Sequence, residues 1–164
     1  MVSWPRNIRM VNVRKPLPYA SGEVDGIYSS HMLEHLYLDH ANAVLRECYR
    51  VLRPGGILRL ALPDAMDLAQ RLLASRAEAG PGASLQFTRG LYMQPMRAPN
   101  RRQRLMGAFA GAPHRWQPTT SLVLETMSNA GFERTRACRF LEGALPDLAA
   151  VDHRDESLFV EAER

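Results

Sequence analysis

The feature that most limits how this chain folds is the peptide Ile57-Leu58-Arg59-Leu60-Ala61-Leu62, a nearly continuous apolar run directly behind an amphipathic segment. A strand with one solvated face alternates apolar and polar residues, whereas a strand covered on both faces reads as an almost unbroken run. The run therefore predicts a central strand, ended by Pro63-Asp64 and followed by a second amphipathic helix over residues 65–79 that Gly80-Pro81-Gly82 closes. Ahead of it, Ala41, Val44, Leu45, Cys48, Val51 and Leu52 recur at helical spacing, with Arg46, Glu47 and Arg50 on the other face. Asp39 suits the N-cap, Arg53 the negative end of the dipole, and Pro54-Gly55-Gly56 the stop.

Two short strands are expected earlier. Ile8-Arg9-Met10-Val11-Asn12-Val13 alternates until Lys15-Pro16-Leu17-Pro18 breaks it, because proline removes a ladder donor. Gly26-Ile27-Tyr28-Ser29 follows the turn-forming Ser21-Gly22-Glu23. Residues 83–118 are less regular, with room for two short helices. Thr119 or Thr120 caps a third long helix marked by Leu122, Leu124, Met127 and Ala130 and ended by Gly131; residues 135–140 and 157–160 read as final strands. Strands alternating with helices predict one α/β domain over residues 1–164, with helices on both faces of a mainly parallel sheet and an antiparallel hairpin at the end.

Composition narrows the function classes. No apolar run approaches the ~20 residues needed to span a bilayer, and Met1-Val2-Ser3-Trp4-Pro5-Arg6 lacks the pattern of a signal peptide, so a cytoplasmic protein is expected. Cys48 and Cys138 follow no metal or redox spacing and read as buried, reduced thiols. The net charge of +4 comes from basic residues that are all Arg except Lys15, a bias of coding composition more than of phosphate contact. The cluster over residues 97–104 has no interleaved aromatic residue, which favours a solvated helix face over a nucleic-acid patch.

Three segments in series resemble one family. Lys15-Pro16-Leu17-Pro18-Tyr19 with Val24-Asp25-Gly26-Ile27-Tyr28-Ser29-Ser30-His31-Met32-Leu33-Glu34-His35-Leu36 resembles the fourth-strand region of type 11, class I methyltransferases. Leu45-Arg46-Glu47-Cys48-Tyr49-Arg50-Val51-Leu52-Arg53-Pro54-Gly55-Gly56-Ile57-Leu58 resembles their next helix, turn and fifth strand. His114-Arg115-Trp116, Ala130-Gly131-Phe132 and Asp155-Glu156-Ser157-Leu158-Phe159-Val160-Glu161-Ala162 look like a branch linked to cell-surface polysaccharide synthesis.

The resemblance implies a Rossmann-like sheet of strand order 3-2-1-4-5-7-6, S-adenosylmethionine as cofactor, and a small-molecule or sugar acceptor. In such sheets ligands bind beyond the carboxyl ends of central strands. It places Asn12, where a carboxylate often meets the adenine amino group, together with Ser29, Ser30 and His31 at the cofactor, and His31, Glu34 and His114 at the chemistry. Trp116 is a core anchor or an acceptor contact, residues 83–118 an acceptor lid, and Met93, Met96 and Met106 an adaptable apolar surface.

The family's opening strand, Gly-x-Gly-x-Gly loop and ribose-binding acid lie ahead of the matching segments, and the sequence contains no Gly-x-Gly-x-Gly run. Three consequences are expected: weak or absent cofactor binding by this polypeptide alone, a sheet truncated at the amino terminus, and an exposed fourth strand. The residue 8–13 strand then moves beside that edge, two chains pair across it as a homodimer, or the natural amino terminus is longer. A non-catalytic scaffold or regulator of the same fold is the alternative. His31-Met32-Leu33-Glu34-His35 also fits the His-x-x-Glu-His pattern of inverted zinc peptidases, which needs both histidines on one face of a regular helix. The segment directly follows a strand, so no metal ligand is assigned and His35 is read as structural.

Overall fold

Among the described residues, four strands form one sheet in the order β1-β2-β4-β3: Val24–Ser30 (β1), Leu52–Pro63 (β2), Arg134–Cys138 (β3) and Ser157–Glu163 (β4). The structure, a computed structural model, describes residues 11–74, 81–91 and 113–164. Its helices are Leu38–Val51 (α1), Ala65–Ala74 (α2), Pro81–Leu91 (α3), Thr120–Asn129 (α4) and the single turn Leu148–Val151 (α5). No helix among the described residues is long and apolar enough to cross a membrane.

β2 is the central strand that its apolar run predicts. It pairs in parallel with β1, Ser30 opposite Ala61, and antiparallel with β4, from Ile57 opposite Glu163 to Pro63 opposite Ser157. β3 lies antiparallel to β4 on the far side. The sheet is thus mixed, not mainly parallel, because β4 runs back between β2 and β3. The order matches the 4-5-7-6 portion that the resemblance implies.

One face of the sheet holds the core. Leu58, Leu60 and Leu62 of β2 and Leu158, Val160 and Ala162 of β4 pack under Ala41, Val44, Leu45 and Cys48 of α1 and Val123 and Met127 of α4. Each large apolar side chain so covered contributes roughly 1.5–3 kcal/mol. On α4 Val123, Thr126 and Met127 are buried; of the expected stripe, Met127 and Ala130 are buried, Leu124 packs partly buried against the core, and Leu122 is only partly covered. Thr119 is the N-cap, its Oγ1 accepting from Leu122 N–H at 3.4 Å.

The opposite face is held by an ion network. Arg59, fully buried on β2, donates two bonds to Asp152 at 3.0 and 2.6 Å and one to Glu161 at 3.1 Å. Its remaining N–H groups reach the carbonyls of Glu142 and Arg139 at 3.0 Å, so all five guanidinium donors are used. Glu161 also accepts from Ala144 N–H, Leu145 N–H and Arg136, and this pins residues 139–152 across the sheet.

Several local expectations are corrected. α1 starts at Leu38 with Tyr37 as N-cap, and Asp39 lies inside the first turn, where its charge still favours the dipole. Pro54-Gly55-Gly56 lies within β2, because Leu52 already turns extended; between Val24 and Gly26 the ladder slips to take up the extra residues, with Gly55 at φ +75°. Arg53 therefore stands in the strand and pairs with Asp25. Val11–Val13 do not form a strand: Asn12 Oδ1 accepts from Arg14 N–H at 3.0 Å and the Asn12 carbonyl accepts from Lys15 N–H, turning the chain. Residues 8–10 lie outside the described residues, among which β1 is the sheet edge. α2 is described to Ala74, and residues 75–80, 92–112 and with them the Arg cluster and three of the methionines also lie outside. Cys48 is buried, but Cys138, on the outer β3, is only partly so.

Candidate active site

The site begins where β1 ends. His31 N–H donates to Ala61 O at 2.9 Å, the last bond of the parallel ladder. The backbone of His31 then enters the left-handed region at φ +47°, which costs a residue with a β-carbon on the order of 1 kcal/mol. The imidazole is fixed across the strand ends by Ser157, with Nε2 and Oγ 2.9 Å apart.

A 3-10 turn, Leu33–His35, follows. Leu33 joins the core and draws Glu34 inward until its side chain is 0% exposed. The segment before α4 lies over this turn: Arg115 N–H donates to Glu34 O at 2.7 Å, and the Trp116 indole N–H to Leu33 O at 3.2 Å. Those two bonds bring His114 to the buried carboxylate. Glu34 Oε1 is 3.6 Å from His31 Nδ1, 3.7 Å from His35 Nε2 and 3.9 Å from His114 Nε2. The rings of His35 and His114 meet edge to face at 5.1 Å.

All three distances exceed the ordinary hydrogen-bond range of about 2.7–3.2 Å, and among the described residues neither carboxylate oxygen of Glu34 has a hydrogen-bond partner. Burial, only partly opposed by His35 and Arg154, pushes the Glu34 carboxyl above its usual range. Burial, then the charge of Arg154, lowers His31; burial, then His35, lowers His114. Both imidazoles thus favour the neutral form, which can accept a proton.

These groups form one wall of a cleft of about 510 Å³ beyond the carboxyl ends of β1 and β2, with Pro63, Asp64 and Ser157 at the strand ends. Asp64 also caps α2, its Oδ1 accepting from the N–H groups of Met66 and Asp67. Arg71, Arg89 of α3 and Arg154 stand in the cleft beside the acidic Asp64, Asp67 and Glu156, so its lining carries both signs of charge.

The expected catalytic residues His31, Glu34 and His114 are therefore brought together, and His35, read as structural, stands beside them. Ser29 and Ser30 close β1 but do not line the cleft, and Asn12 is an exposed turn residue away from it. Ser157 was not legible as a site residue; its only signal is its position as the first residue of the strand beside β2. Arg59 lies under the sheet rather than at the cleft. The zinc-peptidase arrangement does not form, because His31 precedes the 3-10 turn with a left-handed backbone and shares no helix face with His35.

Residues 4–60 match a family described as a methyltransferase domain. The whole arrangement superposes on a methyltransferase from Archaeoglobus fulgidus dependent on S-adenosylmethionine, at TM-score 0.56 and 10% identity over 96% of this chain. The chain carries the class I methyltransferase fold. A methyltransferase from Thermotoga maritima of the same dependence aligns at TM-score 0.51 and 15% identity over 94% of the chain. The solved structure of PigF with S-adenosylhomocysteine aligns at TM-score 0.51 and 13% identity over 93% of this chain. This chain spans 66%, 62% and 34% of those three proteins, respectively. No curated protein matches the sequence. Within the methyltransferase fold the cleft stands where parallel sheets hold ligands.

Proposed function

We propose that this chain takes part in methyl transfer from S-adenosylmethionine to a small-molecule or sugar acceptor held in the cleft at the ends of β1 and β2. The observation that carries the reading is the position of His31, a neutral imidazole fixed by Ser157 at the strand end, facing that cleft. The cofactor supplies an electrophilic methyl group on a sulfonium centre. Of the residues present, His31 at the end of β1 lines the cleft in the region of that centre, whereas Ser30 does not line it and no Gly-x-Gly-x-Gly cradle for the nucleotide occurs in the sequence. His31 takes the proton of an acceptor hydroxyl or amine as its oxygen or nitrogen is alkylated. Arg71, Arg89 and Arg154 line the cleft together with Asp64, Asp67 and Glu156, a mixed polar lining that suits an acceptor with many hydroxyls. A sugar of surface polysaccharide is the acceptor class that the tail motifs suggest.

Calorimetric titration with S-adenosylhomocysteine tests the reading. Saturable binding supports an enzyme; a folded protein that takes up none is a scaffold of the same fold.

Self-association is part of the proposal. β1 has one strand neighbour among the described residues, and a strand edge pairs readily with a second copy. Light scattering at micromolar concentration should give a homodimer, and a clean monomer contradicts it.

A further inference from the structure

We infer that Glu34, His35 and His114 bind one divalent transition-metal ion, with an open coordination position toward the cleft. The donor atoms of these three side chains all lie within 4.8 Å of one another. Two donors 2.0–2.2 Å from a shared ion at the tetrahedral angle stand roughly 3.3 Å apart. The 3.7 and 3.9 Å from Glu34 Oε1 to the two Nε2 atoms exceed that by a few tenths of an ångström, yet are too long for hydrogen bonds.

The second observation is the carboxylate itself. A buried carboxylate costs several kcal/mol unless paired, and buried charges are normally paired or bound to metal. Glu34 is wholly covered and, among the described residues, neither oxygen has a hydrogen-bond partner, while three histidines stand around it. A cation bound there stabilises the ionised form and uses both neighbouring imidazoles as neutral donors.

Donor chemistry selects the metal. Two imidazoles with one carboxylate and no thiolate suit zinc, cobalt or nickel better than magnesium or calcium, which prefer all-oxygen sets. Three protein ligands leave a tetrahedral ion one free position, the arrangement of a reactive site and not of a closed structural one. That position faces the cleft, where an oxygen of the bound acceptor can occupy it. His31, held by Ser157, stands beside the ion as a supporting group. This site differs from the peptidase pattern: its second histidine comes from position 114, not 31, and the glutamate is a ligand.

The inference does not depend on methyl transfer, and the test reads metal alone. Protein without an affinity tag, stripped of metal by a chelator, is titrated with Zn²⁺ against a chromophoric competitor, and then with Co²⁺ to read ligand-field absorption. One ion per chain is expected. Glu34→Gln and His114→Gln, each confirmed as folded by circular dichroism, should weaken binding by more than about 100-fold, beyond the loss of a supporting residue. His40→Gln and Cys138→Ser should leave it unchanged. Binding weaker than about 1 mM, or indifferent to Glu34→Gln or His114→Gln, overturns the assignment.

Discussion

His31 Nε2 and Ser157 Oγ stand 2.9 Å apart, joining the end of β1 to the start of β4 across the strand that separates them. The bond fixes which ring nitrogen of His31 remains available. Ser157→Ala should lower stability by about 1 kcal/mol, the net worth of one neutral hydrogen bond, as read by urea denaturation. His31→Ala should lower methyl transfer by about 100-fold, within the range of a lost general base, in a single-turnover assay with labelled cofactor.

Arg59 is a buried cation of β2 on the sheet face opposite the apolar core, and its partners Asp152 and Glu161 are buried with it. Arg59→Met leaves Asp152 buried without its ion-pair partner and Glu161 with Arg136 alone. Removing one partner of a buried pair costs about 3–5 kcal/mol, so this variant should lose that much in chemical denaturation while a surface exchange such as Arg71→Met loses little.

Glu161 gives the fold an acid limit. Burial pushes its carboxyl up, but bonds from Ala144 N–H, Arg136, Leu145 N–H and Arg59 outweigh burial and hold it below its ordinary value of 4.5. The folded state therefore binds fewer protons than the unfolded chain between the two values. Its stabilisation is complete above the unfolded value and is lost as pH falls through the folded one. Between about pH 5 and about pH 3 the melting temperature of the wild type should fall more steeply than that of Glu161→Gln.

Cys48 is packed between α1 and the sheet, and burial pushes its thiol up to about 12. The thiolate is the reactive form. Iodoacetamide on the native protein near pH 8 should spare Cys48 and modify it only after denaturation; rapid native labelling contradicts the packing.

What the sequence revealed follows from what its patterns encode. The run from Ile57 to Leu62 announced a strand covered on both faces, and the α1 periodicity its buried stripe, because both depend on local spacing. The mixed sheet was less legible: β4 enters between β2 and β3 through pairings that no local pattern writes. Arg59 passed as a tolerated interruption because Asp152 and Glu161 lie about a hundred residues away. The site divides the same way. His31 and Glu34 follow a strand end, the position where parallel sheets collect ligands, and were legible. His114 meets Glu34 only because Arg115 and Trp116 bond to the turn, and Ser157 only through the sheet order.

The methyl-transfer reading meets its most direct test in the histidine side-chain NMR signals during a titration with S-adenosylhomocysteine. Saturable shifts of His31, with His153 unmoved, and a Kd of about 0.1–1 mM are expected for a chain without a glycine cradle. His31 signals that stay fixed up to about 5 mM ligand, in protein whose other resonances show it folded, contradict the reading.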